Sequence, residues 1–145
     1  MSDAAATDAY AATDAYAATD AYAATDAYIR HIVPAAHFRA LPESAPYLPA
    51  EFDKDGFIHC TRERDVLLQI ANNYFRDAPG EFLVLVIDPT RVTAPVKFEP
   101  PFPPPPPDAP LARHLFPHIY GPLDRAAIVE VHPARRAPDG AFLEV

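Results

Sequence analysis

Polar and apolar positions along this 145-residue chain change period several times, and each change marks an element. From Tyr28 to Val33, Tyr-Ile-Arg-His-Ile-Val is aromatic and β-branched and predicts a strand; Pro34 then suits the first turn of a short helix through Leu41. Pro42, Pro46 and Pro49 hold the next stretch in a loop. Asp53-Lys54-Asp55-Gly56 is a turn signal ahead of an apolar strand, Phe57-Ile58-His59-Cys60. Val66, Leu67, Ile70, Ala71, Tyr74 and Phe75 recur at intervals of three and four, which predicts one amphipathic helix over roughly Glu63 to Arg76, with Thr61 as a cap at its start. Pro79-Gly80 closes that helix. The run Phe82-Leu-Val-Leu-Val-Ile87 has no polar alternation, so it predicts a central strand buried on both faces.

Past the Asp88-Pro89 turn, Val96-Lys97-Phe98-Glu99 alternates as a strand, and residues 100–110 then contain eight prolines. Without amide donors, and with rings that clash with a preceding turn, that segment enters neither a helix nor a sheet interior. It predicts a stiff surface loop of polyproline II character: a spacer between strands, or a docking segment for a proline-reading partner. Leu115-Phe116-Pro117-His118-Ile119-Tyr120-Gly121-Pro122 follows, then a strand from Ala126 to His132. Pro138-Asp139-Gly140 turns the chain into Phe142-Leu143-Glu144-Val145. The sum is an α+β domain over residues 28–145, with about six strands and one substantial helix.

Residues 1–27 are set apart from it. Ala-Ala-Thr-Asp-Ala-Tyr repeats four times between Ala5 and Tyr28. A helical step of six residues rotates by about 600°, so successive tyrosines would point to different sides and no apolar stripe forms. The composition predicts a disordered low-complexity tail. It also distorts the charge: the chain carries −8, but five of its aspartates precede residue 29, leaving a mildly acidic body with 15 acids against 12 bases. A general nucleic-acid surface is not expected. Neither a membrane span nor a signal sequence is visible, which predicts a cytoplasmic protein. A single cysteine, Cys60, allows no internal disulfide and no thiolate zinc cluster.

Among six histidines, His31, His59 and His118 sit where a strand's polar residue faces outward between apolar neighbours. His59 is the most informative, because a glycine-led turn delivers it to the amino end of the main helix, where unpaired amides suit a phosphate. Adjacent strand residues face opposite ways, so His59 cannot activate Cys60, which reads as a small packing residue. His114 and His118 have the spacing of helical metal ligands, but Phe116-Pro117 breaks such a helix and no metal is expected. Four glycines build neither a phosphate loop nor a nucleophile elbow.

Four motifs in order, His-Ile-Val-Pro, Gly-Phe-Ile-His-Cys-Thr, Leu-Val-Leu-Val-Ile-Asp and Phe-Pro-His-Ile-Tyr-Gly-Pro-Leu, resemble the bacterial family known as domain of unknown function 952 over residues 29–132. The run from Ile58-His59-Cys60-Thr61 through the helix to Asp88 is also similar to RNA 2′-phosphotransferases. That resemblance implies an ADP-ribosyltransferase-like split β-sheet with NAD in its cleft as co-substrate. It further implies that His31 grips the NAD ribose, that His59 and Thr61 lie beside the nicotinamide or a phosphate, and that His118 and Tyr120 border the same cleft and orient an acceptor. Arg62 and Arg64 would supply positive charge, and alternation turns Arg30 away from His31. Ile32-Val33 stands where the phosphotransferases have a small Gly-Thr pair, and Glu130 is the nearest late-strand glutamate.

The chemistry such a site would run is the cleavage of the nicotinamide–ribose bond, whose oxocarbenium-like transition state needs orientation and charge stabilisation more than covalent help. The expected function is therefore an NAD-using glycosyl or phosphoryl transferase of ADP-ribosyltransferase type, acting on NAD or on an ADP-ribose or nucleotide phosphate derived from it. Two other readings stand beside it: a non-catalytic domain binding a nucleotide or small anion, and a protein-interaction module working through its proline-rich loop.

Overall fold

The computed structural model of the chain describes residues 27–145; the repeat tail up to residue 26 lies outside the described residues. Strand β1 (Ile29–Pro34) runs straight into helix α1 (Ala35–Ala40). A single helical turn, α2 (Phe52–Asp55), precedes the two-residue strand β2 (Ile58–His59). Helix α3 (Arg64–Tyr74) and strand β3 (Phe82–Ile87) come next. Strands β4 (Val96–Glu99), β5 (Phe116–Ile119) and β6 (Ile128–Pro133) follow, and a small hairpin of β7 (Arg135–Arg136) and β8 (Phe142–Glu144) ends the chain.

The strands form two three-stranded antiparallel sheets, ordered β1-β3-β6 and β2-β5-β4, beside the β7-β8 hairpin. As the unbroken apolar run predicts, β3 is the middle strand of the first sheet and all six of its residues are buried. Its side chains part by parity. Leu83, Leu85 and Ile87 face the second sheet and pack in one cluster with Ile29, Val33, Ile58, Ile119, Tyr47 and Leu123. Phe82 and Val84 face the other way, onto Leu67 and Ala71 of α3 and Phe142 of β8. The order of layers is therefore helix, sheet, sheet, and β3 is apolar throughout because a hydrophobic layer covers each of its faces.

The two sheets are joined at one point. The Cys60 amide donates to the Pro117 carbonyl, but one residue later Thr61 and Arg30 exchange backbone hydrogen bonds of 2.7 and 2.8 Å, so the chain leaves β5 for the edge of β1. The described architecture is thus a mixed α/β domain of small antiparallel sheets with few helices.

Local differences from the sequence expectations have simple causes. Asp53 to Gly56 is not an open turn: it is the end of α2, closed by Gly56 at φ 81°, with the Gly56 amide bonded to the Phe52 carbonyl. Thr61 does not cap α3; Glu63 holds that position without a side-chain cap bond, and Thr61 is committed to pairing with β1. The last long strand starts at Ile128, because Arg125 to Ala127 forms a 3-10 turn. Residues 100–115 do link neighbouring strands, β4 and β5, and they also reach over the fold.

Candidate functional site

Register brings His59 and His118 together. The two residues are direct partners on β2 and β5, and their rings lie 5.6 Å apart, edge to face. Alternation sends Ile58 and Ile119 of the same strands into the core, so the opposite face carries Phe57, His59, His118 and Tyr120. Phe57 stacks on the His118 ring at 4.1 Å and tilts against His59 at 4.6 Å, holding both imidazoles by their faces.

Each of these histidines is backed by a carboxylate that sequence reading did not single out. His59 Nε2 lies 2.8 Å from Asp55 Oδ2, and His118 Nδ1 lies 2.8 Å from Glu99 Oε1. Glu99 Oε1 also accepts the Tyr120 hydroxyl at 2.5 Å. Those two hydrogen bonds, Tyr120 first, hold the Glu99 carboxyl below the usual range, while the Tyr120 phenol is pushed up by the same contact. Burial lowers His118 despite the opposing pull of Glu99. His118 is therefore a neutral imidazole near pH 7, with Nδ1–H donated to Glu99 and Nε2 left without a partner among the described residues.

His31 is a different kind of group. It does not face outward: parity aims it between the sheets, where it is 6% exposed. Nδ1 donates to the His59 carbonyl at 2.7 Å, and Nε2 accepts the Tyr47 hydroxyl at 2.8 Å. Burial pushes its pKa down to about 4 and raises that of Tyr47, so both stay neutral. His118 also departs from the outward expectation, being 2% exposed, whereas the His59 side chain is 43% exposed.

The three imidazoles nonetheless line one cleft of 360 Å³. Asp55, Glu51, Cys60 and Thr61 contribute polar edge, and Ile32, Leu67, Ile70, Phe75 and Phe116 form an apolar wall. Pro101, Phe102 and Pro103 of the proline-rich loop close one side, with Phe102 set edge-on to Phe57 at 5.9 Å. That wall was invisible in the sequence, where the segment reads as a spacer or as a docking segment for a proline-reading partner.

The other expected site residues lie apart. Arg62 sits over Phe98 and pairs with Glu63, and Arg64 binds the Val145 main-chain oxygen; neither lines the cleft. Arg30 turns away from His31, as alternation requires, and donates to the Arg62 carbonyl. Tyr120 does not line the cleft; it meets the cluster through its hydrogen bond to Glu99 and a 5.4 Å ring contact with Phe57. Glu130 pairs with His132 in the other sheet, so the glutamate of this cluster is Glu99 from β4. Cys60 is buried and its thiol pushed up by burial, as suits a packing residue. His114 pairs with Glu63, away from His118's own partner. Among the described residues, no group of three or more His, Cys, Asp or Glu side chains is placed to hold a metal ion, and no helix is long and apolar enough to cross a membrane.

Solved structures of one protein share this fold. The crystal structure of protein CC0527 from Caulobacter crescentus superposes with a TM-score of 0.63 at 20% identity, over 80% of this chain and 93% of that one. A crystal structure of a double mutant of the same protein gives the same values, and its solution NMR structure gives a TM-score of 0.60 at 21% identity, over 79% and 90%. At such identity the likeness is one of fold. No curated protein matches the sequence. The sequence profile described as "Protein of unknown function (DUF952)" matches residues 32–131, which span β1 to β6 and every histidine of the cleft except His31; the chain belongs to that family.

Proposed function

We propose that the protein is an enzyme of ADP-ribosyltransferase type that takes NAD, or an ADP-ribose or nucleotide phosphate derived from it, into the cleft lined by its three histidines, helix α3 and the proline-rich loop. One observation carries the reading: His31, His59 and His118, from three strands far apart in sequence, line a single hollow. A first-strand histidine and a His-x-Thr on the second strand are also the pattern by which the chain resembles RNA 2′-phosphotransferases, and two small sheets bridged at Thr61 suit a split-sheet plan.

The lining favours the nicotinamide-ribose end of the dinucleotide. A hollow of 360 Å³ is near the lower end of the roughly 300–1,000 Å³ usual for small-molecule sites, so it suits part of NAD better than all of it. Its aromatic wall offers flat surface to a nicotinamide ring, and the Asp55 and Glu51 carboxylates in the lining would favour the positive charge of a ribosyl cation. Among the described residues no arginine or lysine lines the cleft, which would leave the diphosphate outside it. His59, half-exposed and oriented by Asp55, is the side chain best placed to hold a ribose hydroxyl. His31 acts indirectly by fixing the His59 backbone.

Incubating the full chain with millimolar NAD and measuring free nicotinamide tests the proposal. Release above the uncatalysed rate is expected, and His59→Ala should abolish it with little change in melting temperature, because that side chain is half-exposed and lies outside both core clusters. Binding of NAD or ADP-ribose without nicotinamide release would instead make this a non-catalytic nucleotide-binding domain. Failure to bind NAD, ADP-ribose or nucleoside phosphates in calorimetry would overturn both.

A further inference from the structure

We infer that His118 is a general base and that the acceptor it serves is a neutral hydroxyl, water or an alcohol, rather than an anionic phosphate. This rests on the transfer reading above and names its second substrate. The geometry is a three-member chain in which the Tyr120 hydroxyl and His118 Nδ1–H both donate to Glu99 Oε1, at 2.5 and 2.8 Å. That chain selects the tautomer with the lone pair on Nε2, the ring nitrogen with no partner among the described residues, on a side chain that lines the cleft. Phe57, stacked at 4.1 Å, prevents the ring from swinging. A nucleophile that is already an anion has no use for such a base; a hydroxyl does.

Charge points the same way. The groups facing His118 are Glu99 and Lys97 on β4, His59 on β2, Asp55 beyond His59, and Tyr120 just past the end of its own strand. Lys97 is the one cation among them, and its ammonium lies over the Tyr120 ring rather than in the cleft. A phosphate would thus meet Asp55 and Glu51 in the cleft, with no lysine or arginine there to balance it, whereas a neutral hydroxyl meets no such repulsion.

In the step, the acceptor oxygen attacks the anomeric carbon of the nicotinamide ribose and its proton passes to His118 Nε2. The C–N glycosidic bond breaks with its electron pair leaving on nicotinamide. The new bond is C–O, and His118 returns the proton to solvent. Glu99 is a positioning residue: it orients the ring and stabilises the imidazolium formed during transfer.

The test is nicotinamide release from NAD by the full chain between pH 4.5 and 8, with and without added methanol or inorganic phosphate. The expected results are a rate that rises with pH to a plateau, a methyl glycoside of ADP-ribose in methanol, and no phosphate adduct. Glu99→Gln, at a partly exposed position, should lower kcat at least tenfold with KM within twofold. It should also move the acid limb to lower pH, because Glu99 holds the His118 pKa up. Tyr120→Phe should lower kcat less. A phosphate adduct formed in preference to the methyl glycoside, or release that ignores both pH and Glu99→Gln, overturns this assignment and leaves the transfer reading intact. Absence of any release from the wild-type chain overturns both.

Discussion

The carbonyl of His59 accepts a 2.7 Å hydrogen bond from the ring of His31, so the strand that presents the exposed histidine is pinned by a buried one. Protonation of Nε2 would leave that bond in place, but it would break the one this nitrogen accepts from Tyr47 and put a charge on a buried ring. Burial puts the folded pKa of His31 at about 4, below the 6.5 of a free imidazole. The unfolded chain therefore binds the proton more readily, and stability falls as pH drops from about 6.5 toward 4 while staying flat above that window. The shift corresponds to on the order of 3 kcal/mol at the acid end. His118, lowered by burial as well, adds in the same direction. Thermal unfolding at pH 7, 6 and 5 should show a steadily falling midpoint, with a flatter profile in His31→Gln. Parallel profiles for the two proteins would locate the titrating group elsewhere.

Cys60 offers a check on packing that is independent of any substrate. It is 2% exposed, sits in the cluster between the sheets, and has its thiol pushed well above the ordinary range by burial. Nucleophilicity requires the thiolate, so the native thiol should be inert to an aromatic disulfide reagent near pH 8 and react only at the rate of opening. Labelling that accelerates in step with added denaturant agrees with this. Rapid labelling of the native protein would mean that Cys60 opens to the cleft it borders.

Several of these features were legible in the sequence for a physical reason. Burial on both faces leaves six apolar residues in a row, so β3 announces itself, and the three- and four-residue spacing of Val66, Leu67, Ile70 and Ala71 does the same for α3. Parity correctly separates Arg30 from His31. Which of the two faces is inside is not a local property, however: the second sheet covers the His31 face, and no pattern within β1 records that sheet. The carboxylates were hidden similarly. Asp55 reaches His59 because Gly56 adopts a left-handed conformation and reverses the chain, a geometry that an Asp-Gly turn only hints at. Glu99 meets His118 because β4 pairs with β5 across sixteen intervening positions, and pairing register over that distance has no local signature.

Two glycines with the same backbone strain should respond differently to alanine. Gly80 and Gly140 both have φ 95°, where an L side chain costs roughly 1–2 kcal/mol. A Cβ at Gly80 meets nothing within 4 Å, but at Gly140 it would stand 2.3 Å from the Arg76 carbonyl oxygen. That carbonyl also accepts from Arg136 at 3.0 Å, so moving it disturbs the arginine that sits over Phe82 and Phe142. Gly140→Ala should therefore destabilise by roughly 1–3 kcal/mol more than Gly80→Ala, the usual range for overpacking. Denaturant midpoints at constant slope measure the difference; equal losses would mean that the β7–β8 turn yields freely.

Phe102 separates the two roles of the proline-rich segment. As a spacer, residues 100–115 need only span from β4 to β5, and a ring that is 51% exposed can be removed at little cost. As a wall of the cleft, Phe102 supplies apolar surface facing Phe57, and its loss should be felt by a ligand. Phe102→Ala is thus expected to leave the melting temperature within about 2 °C, since an exposed substitution changes stability by roughly 0.5 kcal/mol or less and a domain of this size shifts by about 4 °C per kcal/mol. The same variant should raise KM for NAD several-fold with kcat changed less, because the lost contact serves ground state and transition state alike. Phe102→Leu, which keeps most of the apolar area, should restore much of the affinity. An unchanged KM in Phe102→Ala would return the segment to the status of a linker, and a steep fall in melting temperature would show that the loop braces Phe57 rather than the ligand.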